Sequence, residues 1–192
     1  MKKSTWILLI AIIAVVWRAF WKYNTIITLD ETVKESRAQV ENQYQRRSDL
    51  VPNLVNIVKW YASHEKETFT QVTEARAAAS QTNVDINDAA SMAKFQANQG
   101  ELSSALSRLL VTVEAYPELK ANQNFLELQT QLEWTENRIS VERKRYNEEV
   151  KGYNTYIRKA PTNIIAALFS FDRAELFESI EWAEIAPEIS FE

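Results

Sequence analysis

The N-terminus carries the feature that most constrains the fold, the unbroken apolar run WILLIAIIAVVW at residues 6–17. Lys2 and Lys3 precede the run, and Arg18 follows it. Two interpretations compete, a cleaved secretory signal and an uncleaved membrane anchor. A secretory signal ends at a small-x-small cleavage site, whereas this run ends in bulky and charged residues. We therefore predict that the run is retained and anchors the chain in a membrane.

The predicted anchor, residues 1–23, is a single-pass transmembrane helix. Residues 6–23 number 18, which is close to the roughly 20 that the hydrocarbon core requires. Basic residues flank both ends, so the sequence leaves open which side of the membrane holds the rest of the chain. The anchor residues that we expect to contact lipid are Trp6, Ile10, Ile13, Trp17 and Trp21.

The composition excludes several classes of function. The chain has 192 residues, no cysteine, one histidine and two glycines, and its net charge is −4. Without cysteine it forms no disulfide and no thiolate metal site. With so little glycine, a phosphate-binding loop is not expected. A nucleic-acid partner is not expected either, because such proteins present a basic face.

Apolar residues recur at intervals of three and four through most of the chain, which is the period of an amphipathic helix. The apolar stripes can be buried only against one another, with coiled-coil-type packing. The sequence therefore predicts an all-α fold, in which an elongated antiparallel bundle of three to four helices occupies residues 24–160. The predicted helices cover approximately residues 24–80, 89–115 and 122–159.

The C-terminal part, residues 161–192, differs in character from the predicted bundle. It begins with a short apolar helix that includes Phe169, and continues with a tail that includes Trp182. From Asp172 onwards the tail has seven acidic residues and one basic residue. Two interpretations stay open: a fourth amphipathic element that folds back on the bundle, or an interaction surface for a neighbouring subunit or partner.

The sequence offers no set of catalytic residues. The one histidine, His64, lacks the second histidine four residues later that a zinc protease helix requires, because that position is Thr68. The chain also has no Gly-x-Ser-x-Gly motif that would present a serine nucleophile. We therefore predict a protein that is not an enzyme and that has no metal site and no cofactor.

Arg47 and Asp49 lie directly before Pro52, which is expected to kink the first helix near Asp49. One interpretation makes Arg47 and Asp49 a site for an anion or a partner. The other makes them a polar layer that pairs across the bundle with Glu136 or Glu114. Such a layer would also satisfy the backbone groups that the proline leaves without a partner.

Two Tyr–Asn pairs recur at a spacing of seven residues in the third predicted helix, so that both pairs lie on one helix face. They are Tyr146 with Asn147 and Tyr153 with Asn154. Buried polar groups can fix the register of a bundle at some cost in stability, and we expect that role here. Asn137 is predicted to belong to the same layer as Asn147.

Long, distinctive motifs occur at residues 45–55, 61–65, 114–121, 135–139 and 161–171. Together they resemble the LemA family of bacterial membrane proteins. The resemblance implies a membrane helix followed by an antiparallel bundle, located at the bacterial cytoplasmic (inner) membrane, with no enzymatic activity. Some LemA-like proteins are associated with building magnetosome membranes. The tryptophans at positions 60 and 134 depart from the family pattern; both are expected on outward faces, which favours a subunit contact.

Two functional hypotheses follow from the sequence. The first is a non-enzymatic scaffold, held in membrane lipid by its N-terminal helix, that forms homo-oligomers or organises other membrane proteins. The second is a membrane-tethered receptor or signalling adaptor that relays a signal through its kinked first helix, with Pro52 as the switchable point.

Overall fold

All regular structure in the computed structural model, which describes residues 3–80 and 85–178, is helical. The all-α prediction is therefore confirmed for these residues. One helix near the N-terminus is a candidate membrane span, because it is long and apolar enough to cross a membrane. In chain order the helices are α1 (Lys3–Tyr61), α2 (Lys66–Ser80), α3 (Ala89–Val113), α4 (Pro117–Lys120), α5 (Gln123–Arg158) and α6 (Thr162–Leu168).

Helix α1 joins the apolar run to the bundle without interruption. Its 59 residues correspond to a length of about 89 Å at 1.5 Å per residue. The apolar run at its start is exposed, whereas the residues from Ile26 onwards bury one stripe against other helices. The helix continues through Pro52, so this proline does not end it.

The prediction of one helix over residues 24–80 was wrong, because the chain reverses at residues 62–65. Helix α2 then runs back beside α1, which brings the hydroxyl oxygens of Ser48 and Ser80 to 3.0 Å. Contacts from outside α1 and α2 hold the reversal. Asn122 donates to the Tyr61 hydroxyl at 3.0 Å, and the Tyr116 hydroxyl donates to Glu65 at 3.3 Å.

The later helices agree with the predicted bounds to within two residues, because local capping signals define them. Asp88 caps α3, and its carboxylate accepts the backbone N–H groups of Ala90 and Ser91, both at 3.1 Å. Asn122 caps α5, and its side chain accepts the Phe125 N–H at 3.1 Å.

The apolar core consists of two clusters along the bundle. The cluster far from the anchor includes Val58, Leu109 and Phe125, and it is built by α1, α2, α3 and α5. The cluster near the anchor includes Ile26 and Tyr146. In this second cluster, an extended C-terminal segment packs beside α1, α5 and the start of α3.

The extended segment, residues 171–178, is called the C-terminal strap below. It follows α6 and runs back along α5, with Ala174 and Phe177 buried. The segment therefore folds back on the bundle, but it does so as extended chain and not as a fourth helix. Trp182 lies outside the described residues.

Candidate functional site

The five residues predicted to contact lipid all lie on the surface of α1. Trp6, Ile10, Ile13, Trp17 and Trp21 are each more than half exposed. No part of the apolar window around them is covered by the rest of the molecule. Large apolar side chains that stay uncovered on an isolated helix are typical of a membrane span.

Arg47 lies at the boundary between the two apolar clusters, with 2% of its surface exposed. Its Nη1 donates to Ser103 Oγ and to Glu136 Oε1, both at 2.7 Å. Its Nη2 donates to the Gln99 side-chain oxygen at 2.6 Å and to the Gln99 carbonyl at 3.1 Å. The guanidinium lies 5.1 Å from the centre of the Tyr44 ring. One side chain of α1 therefore binds both α3 and α5.

This geometry favours the polar layer over an anion or partner site. The predicted pairing of Arg47 with Glu136 is present, and the donors that make it are enclosed by the bundle. Asp49 does not join Arg47, because it is exposed and accepts a hydrogen bond from Gln45 at 2.8 Å. A buried arginine that is bonded by its own protein has little capacity left for an external anion.

Pro52 creates a second polar contact nearby. Proline has no N–H, so the carbonyl of Ser48, four residues earlier, loses its normal helical donor. Arg76 of α2 supplies the replacement, with its Nε 2.8 Å from the Ser48 oxygen. The polar-layer interpretation assigned this role to Arg47 and Asp49, whereas the donor is Arg76, which lies beyond the unforeseen reversal of the chain.

The first Tyr–Asn pair binds the backbone of the C-terminal strap. The Tyr153 hydroxyl donates to the Asp172 carbonyl at 2.9 Å. The Asn154 amide donates to the Ala174 carbonyl at 2.8 Å and accepts the Ala174 N–H at 3.0 Å. One asparagine thus satisfies both backbone groups of one residue, as a neighbouring β-strand would do.

The other pair, Tyr146 and Asn147, makes the same contacts three residues further along the strap. The Tyr146 hydroxyl donates to the Glu175 carbonyl at 2.9 Å. The Asn147 amide donates to the Phe177 carbonyl and accepts the Phe177 N–H, both at 2.9 Å. Together the two pairs form what we call the Tyr–Asn ladder, in which seven residues of α5 correspond to three residues of strap.

The spacing of the ladder follows from helix and extended-chain geometry. Seven residues of α-helix rise about 10.5 Å. Three residues of extended chain span about 9 to 10 Å, depending on whether the chain is polyproline-like or a strand. Because the two lengths nearly agree, equivalent side chains of α5 meet equivalent backbone groups of the strap. A period of three also places Phe171, Ala174 and Phe177 on the face that packs on the bundle.

The sequence contains a signal for the strap that helical periodicity does not reveal. Residues 171–185 read FDR-AEL-FES-IEW-AEI, which is five successive triplets of one apolar, one acidic and one variable residue. A period of three fits polyproline-like extended chain and fits neither a helix nor a flat strand. The ladder residues were correctly predicted to share a helix face, but their bonding to an extended segment was not predicted. Asn137 is exposed and lies outside this layer.

Burial makes the two tyrosine hydroxyls of the ladder harder to ionise. It raises the pKa of Tyr146 to about 12 and the pKa of Tyr153 to about 12, because the phenolate form would lose its hydration. Both hydroxyls therefore remain protonated and can donate to the strap carbonyls at neutral pH.

A groove of about 810 Å³ runs along α5 beside the strap. Its lining combines apolar groups of the strap with basic side chains of the helix. Among the basic residues, Arg143 contacts the strap directly. Its Nη2 donates to the Glu178 carbonyl at 2.6 Å, and its guanidinium lies 5.1 Å from the Phe177 ring centre. The other basic residues of the lining are Lys144, Lys151, Arg158 and Arg173.

The remaining candidate positions lie on the surface. His64 is exposed, and the described residues contain no cluster of three or more histidine, cysteine or acidic side chains. Trp60 is 85% exposed. Trp134 is half exposed, with the guanidinium groups of Arg46 and Arg138 at 4.9 and 5.6 Å from its ring. Phe169 is also exposed, and its ring contacts Tyr23 near the end of the predicted anchor.

The chain is similar in sequence to several known proteins. The LemA family model matches residues 36–191. Magnetosome protein MamQ 2 of Paramagnetospirillum magneticum is 28% identical, with 88% of this chain and 69% of the relative covered. Magnetosome protein MamQ of Magnetospirillum gryphiswaldense is 26% identical over the same shares. Protein LemA of Metamycoplasma hominis is 22% identical, with 82% of this chain and 69% of the relative covered.

Proposed function

Because the chain belongs to the LemA family, we propose that it is a membrane-anchored helical scaffold that associates with copies of itself and organises other membrane proteins. The observation that carries this proposal is the continuity of α1 from the apolar run into the bundle. A helix without a break transmits position and orientation, so a bundle built on it is held rigidly at the bilayer surface.

The relatives support a location at a membrane. The MamQ proteins are named as magnetosome proteins. For this chain we propose the bacterial cytoplasmic membrane and a single pass, made by residues 1–23. Residues 6–23 number 18, which is close to the roughly 20 that a span requires, and tryptophans lie near both ends, as interfacial aromatic residues do.

The interior of the bundle supports a structural role over catalysis. Arg47, Arg76 and the two asparagines of the ladder make hydrogen bonds that join one element of the chain to another. Their geometry serves to fix packing.

Self-association is supported by the aromatic residues on the outer faces. Trp60 is almost fully exposed on α1, and large uncovered aromatics are typical of residues that anchor protein contacts. Tethering in a membrane also raises the effective concentration, so weak contacts between copies act together.

The test is the mass of the full-length protein in mild detergent, measured by sedimentation as a function of concentration. We expect an oligomer, and we expect Trp60→Ala to shift its dissociation to higher protein concentration. Lys59→Ala is the matched control, since it is the exposed neighbouring position. A monomer at every concentration would contradict self-association.

One observation favours the alternative, a receptor or adaptor that relays a signal through α1. The Ser48 carbonyl, which Pro52 leaves without its helical donor, is bonded to Arg76 of α2, so the shape of α1 is coupled to the position of its neighbour. In this alternative, Pro52→Ala changes the cellular response while the oligomer mass stays constant. An unchanged response in cells that carry this variant would count against the relay.

A further inference from the structure

Helix α6 buries small residues and exposes large apolar ones, which is the reverse of a normal surface helix. Its small residues Thr162 and Ala166 are buried against the bundle. Of its large apolar residues, Ile165 packs partly against the bundle, whereas Ile164 is exposed to 68% and Leu168 to 74%. Phe169, directly after the helix, is exposed to 54%. A surface helix of a globular protein buries such side chains, so this face has the composition of a surface that another apolar phase covers.

The position of α6 identifies that phase. The Phe169 ring lies 4.7 Å from the ring of Tyr23, and the Phe171 ring lies 5.8 Å from it. Tyr23 is the last residue of the proposed anchor, and Phe20 and Trp21 just before it are exposed. The apolar face of α6 is therefore continuous with the aromatic collar at the end of the membrane span.

The charges around α6 suit the surface of a bilayer. Residues 160–171 contain no charged side chain, although a quarter of the whole chain is charged. Basic residues surround this segment: Arg158 and Lys159 precede it, and Lys22 lies beside it with its amine 5.1 Å from the Tyr156 ring centre. An acidic residue, Asp172, follows it. Apolar side chains rimmed by lysine and arginine are typical of elements that lie in the headgroup region.

We propose that α6 is a second membrane contact, a foot whose apolar face enters the boundary between headgroups and acyl chains beside the span. This inference rests on the proposed anchor, because the span brings α6 to the bilayer surface. The foot would prevent the bundle from tilting on its one helix. A single span can change its tilt in the bilayer and carry the rigidly joined bundle with it, whereas a span and a foot together fix the angle between the bundle and the membrane.

The absence of native cysteine allows a direct test on the full-length protein. Three single-cysteine variants, Ile13→Cys, Leu168→Cys and Val111→Cys, are spin-labelled and placed in vesicles of phosphatidylethanolamine and phosphatidylglycerol. Ile13 reports on the span and Leu168 on the foot. Val111 is the matched control, because it is an equally exposed apolar residue on α3, outside the proposed contact. Each label is measured for accessibility to oxygen, which partitions into lipid, and to a water-soluble nickel chelate.

We expect the ratio of oxygen to nickel accessibility at Leu168 to exceed that at Val111 several-fold and to approach that at Ile13. If Leu168 matches Val111 while Ile13 is high, the foot is refuted and the anchor stands. If Ile13 is also low, the anchor itself is refuted. Spin–spin broadening at Leu168 that disappears on dilution with unlabelled protein would show that a second copy covers α6, and would overturn the proposal.

Discussion

The bond between Arg76 and the Ser48 carbonyl replaces a hydrogen bond that Pro52 removes, and this substitution can be tested quantitatively. Ser48 is buried, so its carbonyl has no ready access to water once Arg76 is lost. A hydrogen bond to a charged group contributes about 1.5 to 3 kcal/mol, and an unsatisfied buried carbonyl costs a similar amount. We therefore expect Arg76→Met to lower the free energy of unfolding by about 2 kcal/mol.

The expected loss depends on the residue at position 52. In Pro52→Ala the backbone N–H at this position is restored and can donate to the Ser48 carbonyl. Arg76→Met should then lower the free energy of unfolding by only about 0.5 to 1 kcal/mol, which is the value of an ordinary hydrogen bond. The coupling energy between the two substitutions is thus expected to be about 1 kcal/mol.

The assay is a double-mutant cycle on the full-length protein in detergent micelles, with urea unfolding followed by circular dichroism at the helical band. Arg108→Met combined with Pro52→Ala is the control, because Arg108 is exposed on α3. Additive effects for Arg76 and Pro52, within about 0.5 kcal/mol, would refute the reasoning. They would mean that Arg76 does not supply the missing donor.

Three further outcomes follow from the polar contacts. Asn147→Leu or Asn154→Leu should release the C-terminal strap at a cost of about 2 kcal/mol, because backbone groups lose both partners, and proteolysis within the strap should accelerate. Arg47→Met should lower the free energy of unfolding by about 3 kcal/mol, measured with urea, because it breaks a buried network. Because the pKa values of Tyr146 and Tyr153 are raised in the folded state, their full contribution to the free energy of unfolding should be present below pH 10, where the unfolded tyrosines are also protonated. Stability should then fall as pH rises from 10 to 12, and the fall should be shallower when both are phenylalanine.

Matched substitutions separate these effects from general damage. Asn137→Leu changes an exposed asparagine on α5, so it should leave strap proteolysis unchanged. Equal acceleration by Asn137→Leu and Asn147→Leu would refute the ladder. Arg46→Met removes a neighbouring exposed arginine and should cost less than 1 kcal/mol. An alkaline unfolding curve that is the same with and without the two tyrosines would show that they bind no proton more tightly in the folded state.

The sequence predicted those parts of the fold that local signals determine. Asp88 and Asn122 cap helices whose apolar stripes are regular, so α3 and α5 were located to within two residues. The polar-layer interpretation named Glu136 or Glu114 as the partner of Arg47, and the structure pairs Arg47 with Glu136, because a buried arginine needs a carboxylate within reach.

The end of α1 and the strap could not be predicted in the same way. The reversal after Tyr61 contains neither proline nor glycine, and bonds from Asn122 and Tyr116, distant in sequence, hold it. Pro52, the residue that normally signals a break, lies inside the helix instead because Arg76 compensates for it. The strap follows a period of three, which a search for helical and strand periods does not detect.

The uninterrupted course of α1 has a consequence for how the molecule meets its neighbours. Each residue of an α-helix turns the chain by about 100°, so one residue inserted between Phe20 and Tyr23 would swing every face of the bundle by that angle about the membrane normal. A four-residue insertion would bring the same faces almost back to their starting azimuth, about 6 Å higher. The number of residues in this short stretch therefore sets the rotation of the bundle about the membrane normal. It determines which side of the protein an adjacent molecule in the bilayer encounters.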